Sequence, residues 1–190
     1  MRLFVTLATV SYLLMGCAAN SPKTIVLSPD IPHVTTQTAN AMTPIALSSQ
    51  DQRSANYIAR YLDGDEVSRY VSPAETPNLT LERVFNQALT QAGYQIDPAS
   101  NRALAIVVNQ AVTDVDESML GMGYEAKTKL AVTIKAENEN RTFSKSYSAT
   151  STLKGPMSAD FASLELDINK LMTELSSRII NDPELNQFLQ

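Results

Sequence analysis

Residues 124–153 read YEAKTKLAVTIKAENENRTFSKSYSATSTL, and this stretch decides the fold. Apolar and charged side chains alternate over 124–138, which is typical of a β-strand with one packed face and one solvated face. The triplet Asn-Glu-Asn at 138–140 supplies a turn, and the alternation resumes over 141–153 with Ser and Thr on the outer side. Two long strands this close in sequence are expected to pair as an antiparallel hairpin.

Further strand segments lie upstream. Residues 103–115 begin with apolar side chains on both faces, as expected of a central strand. Residues 57–62 and 66–71 flank an Asp-Gly-Asp triplet, which predicts a hairpin because Gly tolerates the positive φ of a tight turn. The apolar residues of 54–62 also fit helical spacing, so a helix stays open as the alternative there.

Two segments have the apolar periodicity of amphipathic helices. The first follows Pro77, with Asn78 as its predicted N-cap, and the second begins at Ser158 as its predicted N-cap. The Asp-Pro pair at 182–183 ends the second helix and starts a short C-terminal one. We therefore predict an α+β fold, an antiparallel sheet with two main helices packed on one face, plus a short C-terminal helix.

Composition limits the possible chemistry. The chain has 190 residues, a formal net charge of −5, one Cys and one His. The negative charge argues against binding to nucleic acid, whose phosphates need a basic surface. One Cys leaves no internal disulfide and no cysteine metal cluster. The single His33 lies in a Pro-flanked segment, which is a poor setting for a ligand or a general base.

The N-terminus has the pattern of a secretory signal. Arg2 precedes an apolar run over residues 3–15, which would make roughly 20 Å of helix against a hydrocarbon core of about 30 Å. The run is therefore a signal-peptide core, not a membrane anchor. The following Leu-Met-Gly-Cys at 14–17 resembles a bacterial lipobox, in which Cys17 becomes acylated after cleavage.

This reading predicts three parts of the chain. Residues 1–16 form a cleaved lipoprotein signal peptide, residues 17–42 carry the lipid on Cys17 and form a flexible tether, and residues 43–190 form a periplasmic domain. Several acyl chains, such as palmitate, anchor a protein stably where one chain is marginal. Ala18 resembles an outer-membrane sorting signal, so we expect an outer-membrane anchor with the domain facing the periplasm.

No residue pattern predicts catalysis, a metal or a cofactor. Asp114 and Asp116 near a strand end are expected to be solvated turn charges, since the loop lacks the pattern of a calcium site. A serine nucleophile would have to rely on Lys145 or Lys154 as its base, and no spacing singles out such a pair. The loop tip formed by Met119, Leu120 and Met122 is apolar, which predicts a partner-contact surface there.

Several short motifs together resemble the YajG family of small bacterial lipoproteins. They are Thr-Ile-Val-Leu-Ser-Pro at 24–29, Asp-Gln-Arg at 51–53, Ala-Gly-Tyr at 92–94 and Ala-Lys-Thr at 126–128. The resemblance implies an outer-membrane-anchored periplasmic domain with Cys17 as the lipid attachment point and no active-site residues.

Three functional hypotheses follow from the sequence. The first is a non-enzymatic module that binds a cell-envelope protein or peptidoglycan, with the membrane reached through the lipid anchor. The second is a carrier of a lipid, glycan or peptidoglycan fragment, which would need a cleft between sheet and helices. The third is a hydrolase that works without histidine, which would need a Ser and a Lys within hydrogen-bond reach.

Overall fold

The structure, a computed structural model, describes residues 24–35, 42–117 and 123–190. These residues form eight strands and three helices. The strands are β1 (Thr24–Ile25), β2 (Thr43–Asp51), β3 (Ala59–Asp63), β4 (Glu66–Pro73), β5 (Tyr94–Ile96), β6 (Arg102–Glu117), β7 (Tyr124–Asn138) and β8 (Arg141–Gly155). The helices are α1 (Pro77–Gln91), α2 (Phe161–Ile180) and α3 (Pro183–Leu189).

The sheet is mixed, so the prediction of an antiparallel sheet is wrong. β3 with β4, β6 with β7 and β7 with β8 pair antiparallel. β1 with β4, β2 with β5, β2 with β6 and β3 with β6 pair parallel. The hairpins that the turn residues predict are all present, but the parallel pairs have no comparable local signal.

The parallel pairs arise from a crossover and from the length of β6. After β2 the chain passes through α1 before it returns as β5 and β6, and a crossover of this kind places strands parallel. One edge of β6 is long enough for two partners in succession: β2 pairs with residues 103–108 and β3 with residues 113–116. The other edge pairs with β7 along its whole length, with a register shift between Val108 and Gln110.

The predicted hairpin around Gly64 is confirmed, and the helical alternative for 54–62 is not. β3 and β4 flank a turn in which Gly64 has a φ of 61°, a conformation that costs glycine nothing. The tight turn between β7 and β8 places Glu139 at a φ of 55°. Both turns lie where the sequence predicts them.

Both long helices form, although their caps differ from the prediction. Thr76 is the N-cap of α1, and Asn78 lies inside the helix, where its amide donates to Ser49 Oγ at 3.1 Å. Asp160 rather than Ser158 caps α2, because its carboxylate accepts from Ser163 N at 2.8 Å. Asp182 caps α3 as predicted, accepting from the amides of the first turn.

The core lies between the helices and the inner face of the sheet. α1 contacts β2, β5 and β6, whereas α2 contacts β7 and β8 and also packs on α1. The largest side chains that are fully removed from solvent include residues of α1, α2, β2, β6 and β7: Phe85, Ile45, Leu104, Ile106, Ile134, Leu164, Ile168 and Met172.

Residues 24–35, which belong to the predicted tether over 17–42, pack along α2. Ile25 and Leu27 are buried in the main core. Alternate backbone amides of this segment donate to side chains of α2. Val26 N donates to Glu165 Oε1 at 2.7 Å, Ser28 N to Asn169 Oδ1 at 2.8 Å and Asp30 N to Thr173 Oγ1 at 2.9 Å. We call this ladder the N-terminal zipper.

The regular spacing of the N-terminal zipper arises because two residues of extended chain and four residues of helix rise by nearly the same distance. Two residues of extended chain rise about 6.6 Å, and four residues of helix rise about 6 Å. Every second amide of the strand-like segment therefore meets every fourth side chain of α2. The ladder ends where Thr35 N donates to Asn181 Oδ1 at 2.9 Å.

Candidate functional site

A cleft of about 700 Å³ opens at the N-terminal end of α2. Tyr61 and Arg69 reach it from the β3–β4 hairpin, and Phe161 reaches it from the first turn of α2. Tyr61 and Arg69 are direct cross-strand partners, so the hairpin register alone places them side by side. Packing of α2 on the sheet then adds the second aromatic ring.

Arg69 is the cationic side chain that lines this cleft. Its guanidinium carbon lies 3.8 Å from the centroid of the Tyr61 ring and 5.6 Å from that of Phe161. A guanidinium held against aromatic faces is oriented by cation–π attraction, yet its N–H donors stay available. Among the described residues no carboxylate forms an ion pair with Arg69.

The carboxylates around the cleft are occupied by other donors. Glu117 Oε1 accepts from Ala159 N at 3.2 Å. Asp160 accepts from both the amide and the hydroxyl of Ser163, and these bonds lower the pKa of Asp160. In the described part of the cleft, Arg69 therefore has no ion-pair partner and can pair with an anionic ligand.

Tyr61 supports the cleft rather than reacting in it. Its hydroxyl donates to Ala159 O at 3.3 Å. Burial raises the pKa of Tyr61, although Arg69 acts in the opposite direction. The phenol is thus protonated at neutral pH and serves as a wall and a stacking surface. The arrangement can bind an anionic or planar group, but it does not present an activated nucleophile.

The outer face of β6, β7 and β8 is the second candidate surface. Asn109 Nδ2 donates to Thr133 Oγ1 at 2.7 Å, and Thr133 Oγ1 lies 2.9 Å from Ser146 Oγ. These three side chains form a polar row across three strands, which we call the hydroxyl row. A fixed row of hydroxyl and amide groups suits hydrogen bonding to a polar polymer.

The two lysines singled out from the sequence are held by carboxylates. Lys145 Nζ donates to Asp182 Oδ2 at 2.7 Å and to Glu184 Oε2 at 2.9 Å. Lys154 Nζ lies 2.7 Å from Glu125 Oε2. Hydrogen bonds from Lys145 to Asp182 and Glu184 raise the pKa of Lys145. Neither lysine is suited to act as the base for a serine nucleophile.

The Lys145 cluster has a structural role at the start of α3. Tyr147 Oη also donates to Asp182 Oδ2, at 3.0 Å. Burial raises the pKa of Asp182, but hydrogen bonds from Lys145 and Tyr147 outweigh it, and the net shift is downward. The charged carboxylate thus fixes α3 against β8.

The apolar void described between helices and sheet is far smaller than a lipid. It is lined by Leu81, Leu130 and Met172, among others, and its volume of about 10 Å³ is about that of one water-sized site. The second hypothesis, a carrier with a cavity between helices and sheet, gains no support from this interface.

The other residues singled out from the sequence do not converge on a site. Asp114 forms an ion pair with Arg60, and the described residues contain no cluster of three metal-ligating side chains. His33 is exposed on the docked segment. Cys17 and the apolar loop tip at Met119, Leu120 and Met122 lie outside the described residues. No helix in the described part of the chain is long and apolar enough to cross a bilayer.

Comparison with known proteins defines the class as lipoprotein. A family model described as uncharacterized lipoprotein matches residues 29–190, so the chain belongs to that family. YajG, an uncharacterized lipoprotein of Escherichia coli K12, is 23% identical over 179 residues, which cover 94% of this chain and 92% of YajG. The YajG protein of E. coli O6:H1 matches to the same extent. The resemblance to the YajG family is confirmed.

A solved structure shares the fold. Protein XCC0632 from Xanthomonas campestris superimposes with a TM-score of 0.55 at 15% identity, covering 87% of this chain and 97% of that one. At this identity the similarity concerns the fold alone.

Sequence reasoning missed the cleft. The Asp-Gly turn predicts that Tyr61 and Arg69 lie near each other, and this was a usable signal. Phe161 lies 92 residues beyond Arg69 in the chain, and no local pattern links the two. The N-terminal zipper had only a faint signal, the alternation of Ile25, Leu27 and Pro29 with polar or exposed neighbours.

Proposed function

We propose that this chain is an outer-membrane lipoprotein, acylated at Cys17, whose periplasmic domain is a non-catalytic binding module for an anionic group of an envelope component. The observation that carries the proposal is Arg69, a cation that has no ion-pair partner among the described residues and is stacked on Tyr61 in an open cleft. Arginine presents a planar fork of donors that fits carboxylate and phosphate groups.

Membership of a lipoprotein family and the lipobox-like residues at 14–17 support the anchor. Cleft chemistry supports binding without catalysis, because Tyr61 is held as a neutral phenol and the acidic side chains are engaged by amides. The anchor and the cleft can be tested separately.

The anchor is tested by labelling cells with a clickable palmitate analogue. The wild-type protein is expected to take up the label and to fractionate with the outer membrane, whereas Cys17→Ser is expected to do neither. A wild-type protein without label would refute the anchor.

The cleft is tested by photo-crosslinking at Ser158 in intact cells, followed by mass analysis of the adducts. We expect one main adduct in the wild type, its loss in Arg69→Gln and its retention in Arg83→Gln. Arg83 is a matched control because it is an exposed arginine on α1, away from the cleft. Equal adduct yields in both variants would refute a role for Arg69.

A second candidate uses the hydroxyl row to bind a cell-envelope protein or peptidoglycan. The bond pattern from Asn109 through Thr133 to Ser146 favours it, because the row is already ordered before any ligand arrives. Thr133→Val keeps the side-chain shape and removes the hydroxyl. Reduced sedimentation with purified peptidoglycan, relative to Thr150→Val on the same face, would support this candidate, and equal sedimentation would refute it for peptidoglycan.

A further inference from the structure

The N-terminal zipper determines which end of the domain the lipid-bearing part of the chain reaches first. Thr24 lies opposite Ser72 in the parallel pair of β1 and β4, three residues from Arg69. Val26 N bonds to Glu165, one helical turn from Phe161. The described chain therefore enters the domain beside the cleft and runs away from it along α2.

The length of chain before Thr24 limits how far the cleft can lie from the lipid. Thr24 follows Cys17 by only seven residues, and seven residues span at most about 25 Å even when fully extended. A tether over 17–42 would have allowed the domain to tumble freely. Docking of 24–35 instead keeps the cleft end of the domain nearest the anchor.

Exposed apolar side chains are found at this same end. Val26 is 51% exposed, and Met157 and Leu166 are each 73% exposed. Met157 directly precedes the cleft residue Ser158, and Leu166 adjoins Glu165, to which Val26 is bonded. Large apolar side chains left in water beside an anchor point are typical of a surface that contacts a membrane.

The charges at this end are mixed, because Asp63, Asp65 and Glu66 form the tip of the β3–β4 hairpin beside the cleft. Glu165, like Glu117 and Asp160, has its carboxylate bonded to a backbone amide of the domain. Arg69 is the cation without an ion-pair partner in the described part of this end, and guanidinium groups bind lipid phosphates well.

We propose that the cleft end of the domain docks on the bilayer that holds the lipid anchor, with Val26, Met157 and Leu166 at the headgroup boundary and Arg69 on a phospholipid phosphate. The inference rests on the proposed function and deepens it, because it names the anionic component that the cleft binds. The domain then stands with α2 directed away from the membrane and with the hydroxyl row open to the periplasm.

The test uses the full-length acylated protein in vesicles of phosphatidylethanolamine and phosphatidylglycerol that contain a nitroxide-labelled lipid. Because acylation consumes the thiol of the single native Cys, Leu166→Cys provides one reactive site for an environment-sensitive fluorophore. Glu174→Cys is the matched control, since it lies on the same exposed face of α2 but about 12 Å further along the helix. We expect strong quenching at position 166 and weaker quenching at 174.

Arg69→Gln in the Leu166→Cys background tests the phosphate contact. The ratio of docked to undocked domain is expected to fall about fivefold, the equivalent of about 1 kcal/mol for one basic residue near an anionic surface. Arg83→Gln in the same background is expected to leave the ratio unchanged. An Arg69→Gln protein quenched as strongly as the wild type would overturn the role of Arg69.

Failure of docking and failure of the anchor give different results. Vesicle flotation reports the anchor alone: if the acylated protein does not float with the vesicles, the proposed function fails together with the inference. If the protein floats but position 166 is quenched no more than position 174, only the docked orientation is wrong.

Discussion

Substitution of Asn169 by Ala would detach the N-terminal zipper at its centre. The Asn169 side-chain amide makes two hydrogen bonds to the backbone of the segment, as a neighbouring strand would. Its Oδ1 accepts from Ser28 N at 2.8 Å, and its Nδ2 donates to Val26 O at 3.1 Å. Alanine removes both bonds and leaves the helix backbone intact.

The expected loss in free energy of unfolding follows from these two hydrogen bonds. Each contributes about 1 kcal/mol net, and the better helix propensity of Ala returns about 0.5 kcal/mol. The free energy of unfolding should therefore fall by about 1.5 kcal/mol, or by about 3–6 °C in Tm for a domain of this size. Local opening of the segment should speed amide exchange at Ser28 roughly tenfold.

Urea unfolding and hydrogen exchange measure the two effects. Lys170→Ala is the control, because Lys170 is the next residue of α2 and its only described ion pair is an exposed one with Glu174 at 4.0 Å. This substitution should change the free energy of unfolding by no more than about 0.5 kcal/mol. If Asn169→Ala matched Lys170→Ala in stability and Ser28 exchanged at the wild-type rate, the zipper would not be what holds residues 24–35 on the domain.

Three further changes test the fold. Because the pKa of Asp182 is lowered in the folded state, the stability it contributes is present above its unfolded pKa of about 4 and is lost as the pH falls through its folded value. In urea titrations Asp182→Asn should therefore be less stable than the wild type at pH 7, and the difference in free energy of unfolding should shrink in acid. A difference that does not change with pH would contradict this. Phe85→Ala empties a fully buried site and should cost about 3–5 kcal/mol by the same assay, and a cost below 1 kcal/mol would mean that α1 is not packed as described. Gly64→Val should cost about 1–2 kcal/mol because a branched residue must adopt positive φ in an otherwise open turn, while Gly64→Asn should cost less; equal costs would contradict the turn geometry.

The sequence by itself determined the parts of the molecule that depend on near neighbours. Alternation over 124–153 and the Asn-Glu-Asn turn specify the β7–β8 hairpin, because strand period and turn chemistry act within a few residues. The apolar stripe after Pro77 specifies α1 in the same way. Membership of the lipoprotein family was also visible in the residues, as short motifs.

Tertiary structure alone decided the parallel pairs, the N-terminal zipper and the cleft. β2 and β3 share one edge of β6 because burial of the whole core selects that arrangement, and no turn residue encodes it. Residues 24–35 lack the long alternation of a sheet strand, and they are ordered by side chains of a helix more than 130 residues away. Arg69 meets Phe161 for the same reason: contacts between distant segments are set by the packing of the folded chain, which local periodicity does not describe.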